Sequence, residues 1–483
     1  MRVMFGVMIC IFLAALDQTA VVPAIPAIAR DLAAYTQLSW IVAAYLITST
    51  ISTPVYGKLS DIYGRRRLLI TCLAVFIITS LLCATAQSLT QLIWYRALQG
   101  LGGGGLMALT QAVIADVVSP RERGRYQGYI SAVWATSSLC GPLVGGLVAQ
   151  HLSWRWIFWI NLPIGVGAMR VCHSGLRRLS PPVLPGRSRL DIIGMLLLAG
   201  SISVLLLALG WGGSAYAWGS FEILGLAGLG GFLLLLLILQ ELRARDPLLP
   251  PRVFRSSSYV ANVTVSTLAA TVTFTCVFTI PLYFQLARGV TATQSGVYVV
   301  PYMLASAAGN IIGSRWGRHF GAMRGGLRIA TALGFTGLAL LAAVPINAPA
   351  WVIVIAMIVA GSGIGMCLIG SITSAQNALS AQDIGAGTGA LLVLRLVGGA
   401  GGSTLAGAII ASGLIALRHT AGGTAPLAAN SLHRGAPALA DLGWSFAMVY
   451  ATAAVLAVIA FFVTLWMPNT RLRESLHAVP ISE

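Results

Sequence analysis

Apolar residues run along this chain in long unbroken stretches, not at the spacing of two of a half-buried strand. About 20 such residues in a helix cross the hydrocarbon core of a bilayer. Fourteen stretches of roughly that length stand out: 4–26, 40–58, 68–87, 91–115, 126–150, 155–172, 191–211, 221–240, 258–284, 294–314, 326–345, 351–372, 387–416 and 442–467. Polar connectors between them are short. The longest are 173–190, 241–257 and the Ala/Gly/Pro-rich segment 417–441. Six stretches, a polar connector, two stretches, a second connector and six more predict an all-α integral membrane protein. Its parts are an N-terminal six-helix bundle (1–172), central loops with two inserted helices (173–257) and a C-terminal six-helix bundle with a short tail (258–483).

A faint repeat supports two related halves. "GKLSDIYGRRR" (57–67) follows the second stretch, and "GSRWGRHFGAMR" (313–324) holds the matching place in the second half without its acid. Repeated halves around a midplane site are a transporter layout. Composition agrees, because 57% of residues are hydrophobic, only 9% are charged, and mean hydropathy is +0.85. A soluble domain carries about 25% charged residues. The first stretch has the look of a secretory leader, but Asp17, Pro23 and Pro26 interrupt it, and it is expected to remain as the first span.

Net charge is +17, which in a soluble chain would suggest nucleic acid. Here the basic residues sort by side instead. Connectors on the N-terminal side hold 23 and those on the other side 5, with Arg96 and Arg395 inside spans. Cationic loops stay in the cytoplasm, so both termini are expected there, in a bacterial inner membrane. The only lysine is Lys58, an arginine skew compatible with a GC-rich bacterial genome. The charge is thereby explained without nucleic acid. The seven cysteines are scattered with no C-x-x-C spacing, so neither a metal site nor a disulfide framework is expected.

Three places carry candidate chemistry. In "GKLSDIYGRRR", Gly57 and Gly64 are read as bracketing a tight inner turn, with Asp61 facing Arg65, Arg66 and Arg67. Together with Asp116 and Arg123 of the next inner connector, they form a candidate cytoplasmic latch. Asp17 lies about fourteen residues into the first span, too deep for its short side chain to reach water at a helix end. A carboxylate there costs about 2.5–3.5 kcal/mol on insertion scales, which suits a protonatable group in an aqueous cavity. Arg96, on a span running the other way, comes to a similar depth at about 1.5 Å per residue. It is therefore expected to meet Asp17 directly or through Gln99, Gln111 or water.

Arg96 opens "RALQGLGGGG" (96–105), where Gly100, Gly102 and Gly105 spell the G-x-G-x-x-G of a dinucleotide fold. That fingerprint needs a preceding strand and a βαβ unit, and this one lies within an apolar helix. Gly100 and Gly104 instead predict close helix packing. The third place is the fifth span. Gly141, Gly145 and Gly146 allow close approach, and Pro142 removes a helical hydrogen bond. Arg395 lies in the thirteenth span beside "VGGAGGS", where a structural ion-pair partner and a functional role are both open readings. Trp40, Tyr45, Gln111, Trp134, Phe274 and Tyr298 are candidates for the wall of a substrate cavity.

These motifs carry a resemblance. G-x-L-x-D-x-x-G-R-R-R between the second and third spans resembles the signature loop of the major facilitator superfamily. "LDQTAVVPAIPAI" (16–28), "RALQGLGGG" (96–104), "GPLVGGLVAQHLSWRWIFWINLPIG" (141–165) and "IPLYFQLARGVTATQSGVYVVP" (280–301) are similar to segments of its fourteen-span drug:proton antiporters. The resemblance implies alternating access, export of lipophilic drugs, dyes or antibiotics in exchange for protons, and proton coupling at Asp17. It also implies an antiporter role for residues 141–146. No cofactor and no enzymatic activity are implied, and a monomer is expected. Val22 and Pro23 depart from the family's first-span pattern. The lack of further acids near span centres predicts neutral, zwitterionic or monocationic substrates and one coupled proton. An exporter of an endogenous lipid, siderophore or secondary metabolite would share these features.

Overall fold

Pairwise helix packing, repeated once along the chain, organises the fold. The computed structural model describes residues 2–33, 38, 40–117, 123–176, 191–213, 216–244, 247, 249, 251–345, 348–379, 383–420 and 436–468. The first half comprises α1 (Arg2–Asp31), α2 (Trp40–Tyr63), α3 (Arg65–Ala84), α4 (Leu89–Val117), α5 (Arg123–His151), the single turn α6 (Trp156–Trp159) and α7 (Asn161–Gly175). Next come α8 (Ile192–Trp211) and α9 (Phe221–Arg243). The second half holds α10 (Ser257–Arg288), α11 (Ala292–Phe320), α12 (Arg324–Ala343), α13 (Ala350–Asn377), α14 (Ile384–Thr420) and α15 (Ala436–Trp466).

Among the described residues, ten helices are long and apolar enough to cross a membrane. The other four long helices fall outside that set. Helix α7 has 15 residues. Polar side chains dilute α2, as in "TSTIST" (48–53), and parts of α4 and α5 carry side chains outside the described residues. Hydroxyls in such segments fold back onto their own helix, with Thr50 donating to the Leu46 carbonyl and Thr53 to the Ser49 carbonyl, both at 2.7 Å. This satisfies them without water.

Two expectations need correction. The sixth stretch is not one uninterrupted helix: its hydrogen-bond ladder lapses between α6 and α7 at Ile160, which itself keeps helical φ −60° and ψ −31°. Pro163 has no N–H to offer the Trp159 carbonyl, so the proline sits in the first turn of a new helix, where that loss is tolerated. Gly57 does not open a turn, because it lies inside α2 and the chain reverses only at Gly64, with φ 89° and ψ 140°. A left-handed φ favours glycine, so Gly64 is the residue the turn requires.

The same pairings recur in both halves: α1 with α5 as α10 with α14, α2 with α4 as α11 with α13, and α3 with α4 as α12 with α13. Glycine sets the closest approaches. A methyl group at Gly100 or Gly104 would collide with the α2 backbone at Tyr45 and Ser49. One at Gly102 would come within 2.8 Å of the Phe76 nitrogen on α3. The α4 glycines are therefore the surface on which two neighbours seat, as small-residue packing demands.

Helix α8 bridges the halves, touching both α2 and α14, and α9 packs on its outer side. The α9 surface is an apolar face, with Phe221, Leu224, Phe232 and Leu242 exposed. That is what a lipid-facing helix presents.

Candidate functional site

Asp17 is 1% exposed at the middle of α1, and four helices converge on it. Arg96 of α4 is equally buried and donates from Nη1 to Asp17 Oδ2 at 2.5 Å. Gln99, one turn on, accepts from Arg96 Nη1 at 2.7 Å and donates to Asp17 Oδ1 at 3.1 Å. Asn161, the first residue of α7, also donates to Oδ1, at 2.8 Å, and to Ser80 Oγ of α3 at 3.0 Å. Both carboxylate oxygens are thus occupied by donors from α4 and α7.

Arg96 is held just as fully. Its Nε donates to the Ile41 carbonyl of α2 at 3.2 Å, and its guanidinium lies 4.4 Å from the Tyr45 ring centre and 5.8 Å from that of Phe158. The α4 glycines seat α4 on α2 and α3, and the long Arg96 side chain reaches from there to the short α1 carboxylate. A buried ion pair this well hydrogen-bonded is compensated. A proton reaching Asp17 would remove the charge that Arg96 is paired with.

The expected Asp17–Arg96–Gln99 meeting is present in this geometry. Asn161 was missed, although a lone amide in "FWINLPIG" was its visible signal. Tyr45, read as cavity wall, is buried beneath Arg96 instead. Trp40 packs at Gly210 of α8, Phe274 lies against Gly399 of α14, and Tyr298 stacks on Phe284 with ring centres 4.0 Å apart. Gln111 and Trp134 are on helices, but their side chains are outside the described residues.

Residues 141–146 serve two neighbours. A Cβ on Gly141 or Gly145 would strike Thr19 or the Ala20 carbonyl of α1. One on Gly146 would come within 2.5 Å of the Ala292 carbonyl of α11, in the other half. In the signature loop, Arg65 donates to Ser60 Oγ, and Arg66 Nη2 lies 3.0 Å from His173 Nε2 at the end of α7. A Cβ on Gly57 would meet nothing within 4 Å among the described residues. The side chains of Asp61, Asp116 and Arg123 lie outside the described residues. Among the described residues no cluster of three metal-ligating side chains occurs.

The sequence profile described as Major Facilitator Superfamily matches residues 7–403. An uncharacterised MFS-type transporter of Mycobacterium tuberculosis is 34% identical over 409 residues, 84% of this chain and 58% of the relative. The chain thus spans less than two thirds of that relative's length. The multidrug transporter protein MdtP of Bacillus subtilis is 32% identical over 407 residues, 84% of this chain and 74% of the relative. Among solved structures, a bacterial homologue of the human lysosomal transporter Spinster, inward-facing and unoccupied, superposes with a TM-score of 0.64. It is 15% identical and covers 98% of each chain.

Proposed function

Because the chain belongs to the Major Facilitator Superfamily, we propose that it is a proton-coupled antiporter exporting lipophilic small molecules. It has fourteen spans in two six-helix bundles plus an inserted pair, and lies in the bacterial inner membrane with both termini cytoplasmic. The observation that carries the coupling is the buried Asp17, held by Arg96, Gln99 and Asn161. A relative named a multidrug transporter supports the substrate class, and relatives named efflux pumps support the direction.

In this reading, the arrangement around Asp17 is its deprotonated state, since every partner is a donor. Protonation neutralises the carboxylate and weakens its hold on Arg96. Arg96 and Gln99 are fixed to α4, and Asn161 to α7, so loosening this knot lets α1 move against them. The movement reaches α5 through Gly141 and Gly145, and from α5 to the other half through Gly146. The loop at Gly57, Asp61, Gly64, Arg65 and Arg66, with Asp116 and Arg123, latches the cytoplasmic end in the alternate state.

Full-length protein in proteoliposomes with an imposed pH gradient tests the coupling. Asp17→Asn keeps the size of the side chain and loses the titratable charge. It is expected to cut gradient-driven transport at least tenfold while substrate exchange without a gradient continues. Gradient-driven transport at the wild-type rate in Asp17→Asn would overturn the assignment.

A further inference from the structure

Charge inside the membrane is unbalanced. Among the described residues Asp17 is the only carboxylate more than two turns from a helix end, and Arg96 consumes it. Arg395 remains. It lies eight residues into the span Gly387–Gly413 of α14, about 12 Å from that span's end at 1.5 Å per residue. It is half-buried, with no hydrogen bond or ion pair among the described residues. None of its nitrogens is among the sealed, unpartnered polar atoms of the interior, so the guanidinium opens onto accessible space.

Arg395 belongs to the side of α14 that meets α10. Arg395, Gly398, Gly399 and Gly402 share one helical stripe. The glycines contact Thr267, Thr271, Phe274 and Thr275 of α10. The two helices run in the same direction in register, Gly398 with Thr267 and Gly402 with Thr271. One turn earlier, the same register sets Arg395 level with Thr264. The Thr267 hydroxyl is buried without a partner. The Thr271 hydroxyl is already donated to the Thr267 carbonyl at 2.9 Å, so the Arg395 guanidinium is the charged donor left over at this level, with no negative charge among the described residues to balance it.

We propose that Arg395, with Thr264 of α10 level with it, binds the anionic group of the transported compound, so that the substrates are lipophilic organic anions such as hydrophobic sulfonates or carboxylates. This rests on the exporter reading and revises its substrate class. A cation would find no free carboxylate at this depth, whereas an anion would balance a charge that is otherwise costly there. A planar guanidinium suits both acid groups, since it can donate two parallel hydrogen bonds.

The test is binding to the full-length protein in lipid nanodiscs, using radiolabelled taurocholate (a sulfonate), indomethacin (a carboxylate) and tetraphenylphosphonium (a cation). The wild type is expected to bind at least one anion more tightly than the cation. Arg395→Gln is expected to weaken that anion about tenfold to a hundredfold, the range for losing a charge-assisted hydrogen bond. Arg395→Lys is expected to retain most of the affinity, and an unchanged melting temperature in both variants guards against misfolding. Preference for tetraphenylphosphonium, failure of both anions to bind, or wild-type anion affinity in Arg395→Gln would overturn the proposal. Transport in proteoliposomes separates the two readings. Anion binding through Arg395 without gradient-driven movement leaves the site standing and removes the exporter. Gradient-driven tetraphenylphosphonium efflux indifferent to Arg395 does the reverse.

Discussion

The Asp17–Arg96 pair is the place where a single side chain decides most. Two charges withdrawn from water are tolerated because each satisfies the other, with Gln99, Asn161 and the Ile41 carbonyl filling the remaining positions. Removing one partner strands the other, a loss of about 3–5 kcal/mol, while replacing both by apolar residues of similar size is often neutral. Asp17→Ala and Arg96→Ala are therefore each expected to destabilise the folded protein by about that amount. The double variant Asp17→Leu with Arg96→Met is expected to recover most of it and still fail to couple protons. Equilibrium unfolding in mixed micelles measures this, and strictly additive losses would count against a coupled pair. Asp17 and Arg96 were legible in the sequence because depth along two opposed helices follows from residue count alone. Asn161 and Tyr45 were not. Whether an amide or a ring turns toward the knot depends on helix rotation, and neighbours fix that. For Asn161 the neighbour is Ser80, and for Tyr45 it is the bare Gly103 backbone that makes room for the ring.

At the scale of elements, glycine separates into two kinds that look alike in the sequence. Gly145 is pressed against the Ala20 carbonyl, where no side-chain rotamer can yield, whereas Gly57 has no neighbour within 4 Å of a Cβ among the described residues. Gly145→Val should force α1 and α5 apart at a cost of about 1–3 kcal/mol or more, the usual range for overpacking. Gly57→Ala is expected to leave melting unchanged or raised slightly, since alanine favours helix. If Gly57 belongs to a latch that closes in the alternate state, the larger Gly57→Val should slow transport without lowering stability. Thermal unfolding and initial transport rates on the same preparations distinguish these outcomes, and a Gly145→Val protein as stable as the wild type would refute the tight contact. The long helices lie within a few residues of the apolar stretches that predict them, because length and hydropathy are local properties. The break at Ile160 and the helical Gly57 are not visible that way. Proline and glycine permit a break without requiring one, and the packing of α6 and α7 on α3 selects the outcome at 160.

Among the described residues the two halves are joined unevenly, and the side on which they are joined bears on how the molecule works. Hydrogen bonds between the halves run from Gln285 to the Pro23 carbonyl at 3.0 Å and from the Thr293 N–H to Gln150 Oε1 at 3.2 Å. Close backbone contacts set Gly146 on Ala292 and Gly296 on Pro142, and Gly210 of the bridging α8 lies between Trp40 and Thr404. Every one of these belongs to the end of the bundle farthest from the start of α1. With the termini cytoplasmic, as proposed, this is a conformation closed to the outside, and transport requires that seam to open once per cycle. Tying it shut should therefore arrest the protein without harming its fold. A Gln150→Cys, Thr293→Cys pair, joined by a short bifunctional thiosulfonate, is expected to abolish transport, and dithiothreitol to restore it. The seven native cysteines are free, and six of them are buried, so each single variant treated alike supplies the control. Substrate should still bind to the crosslinked protein from the cytoplasmic face, because the seam lies on the opposite side of Asp17 and Arg395. Wild-type transport by the crosslinked pair would mean that this seam does not open during the cycle, and alternating access about it would have to be abandoned.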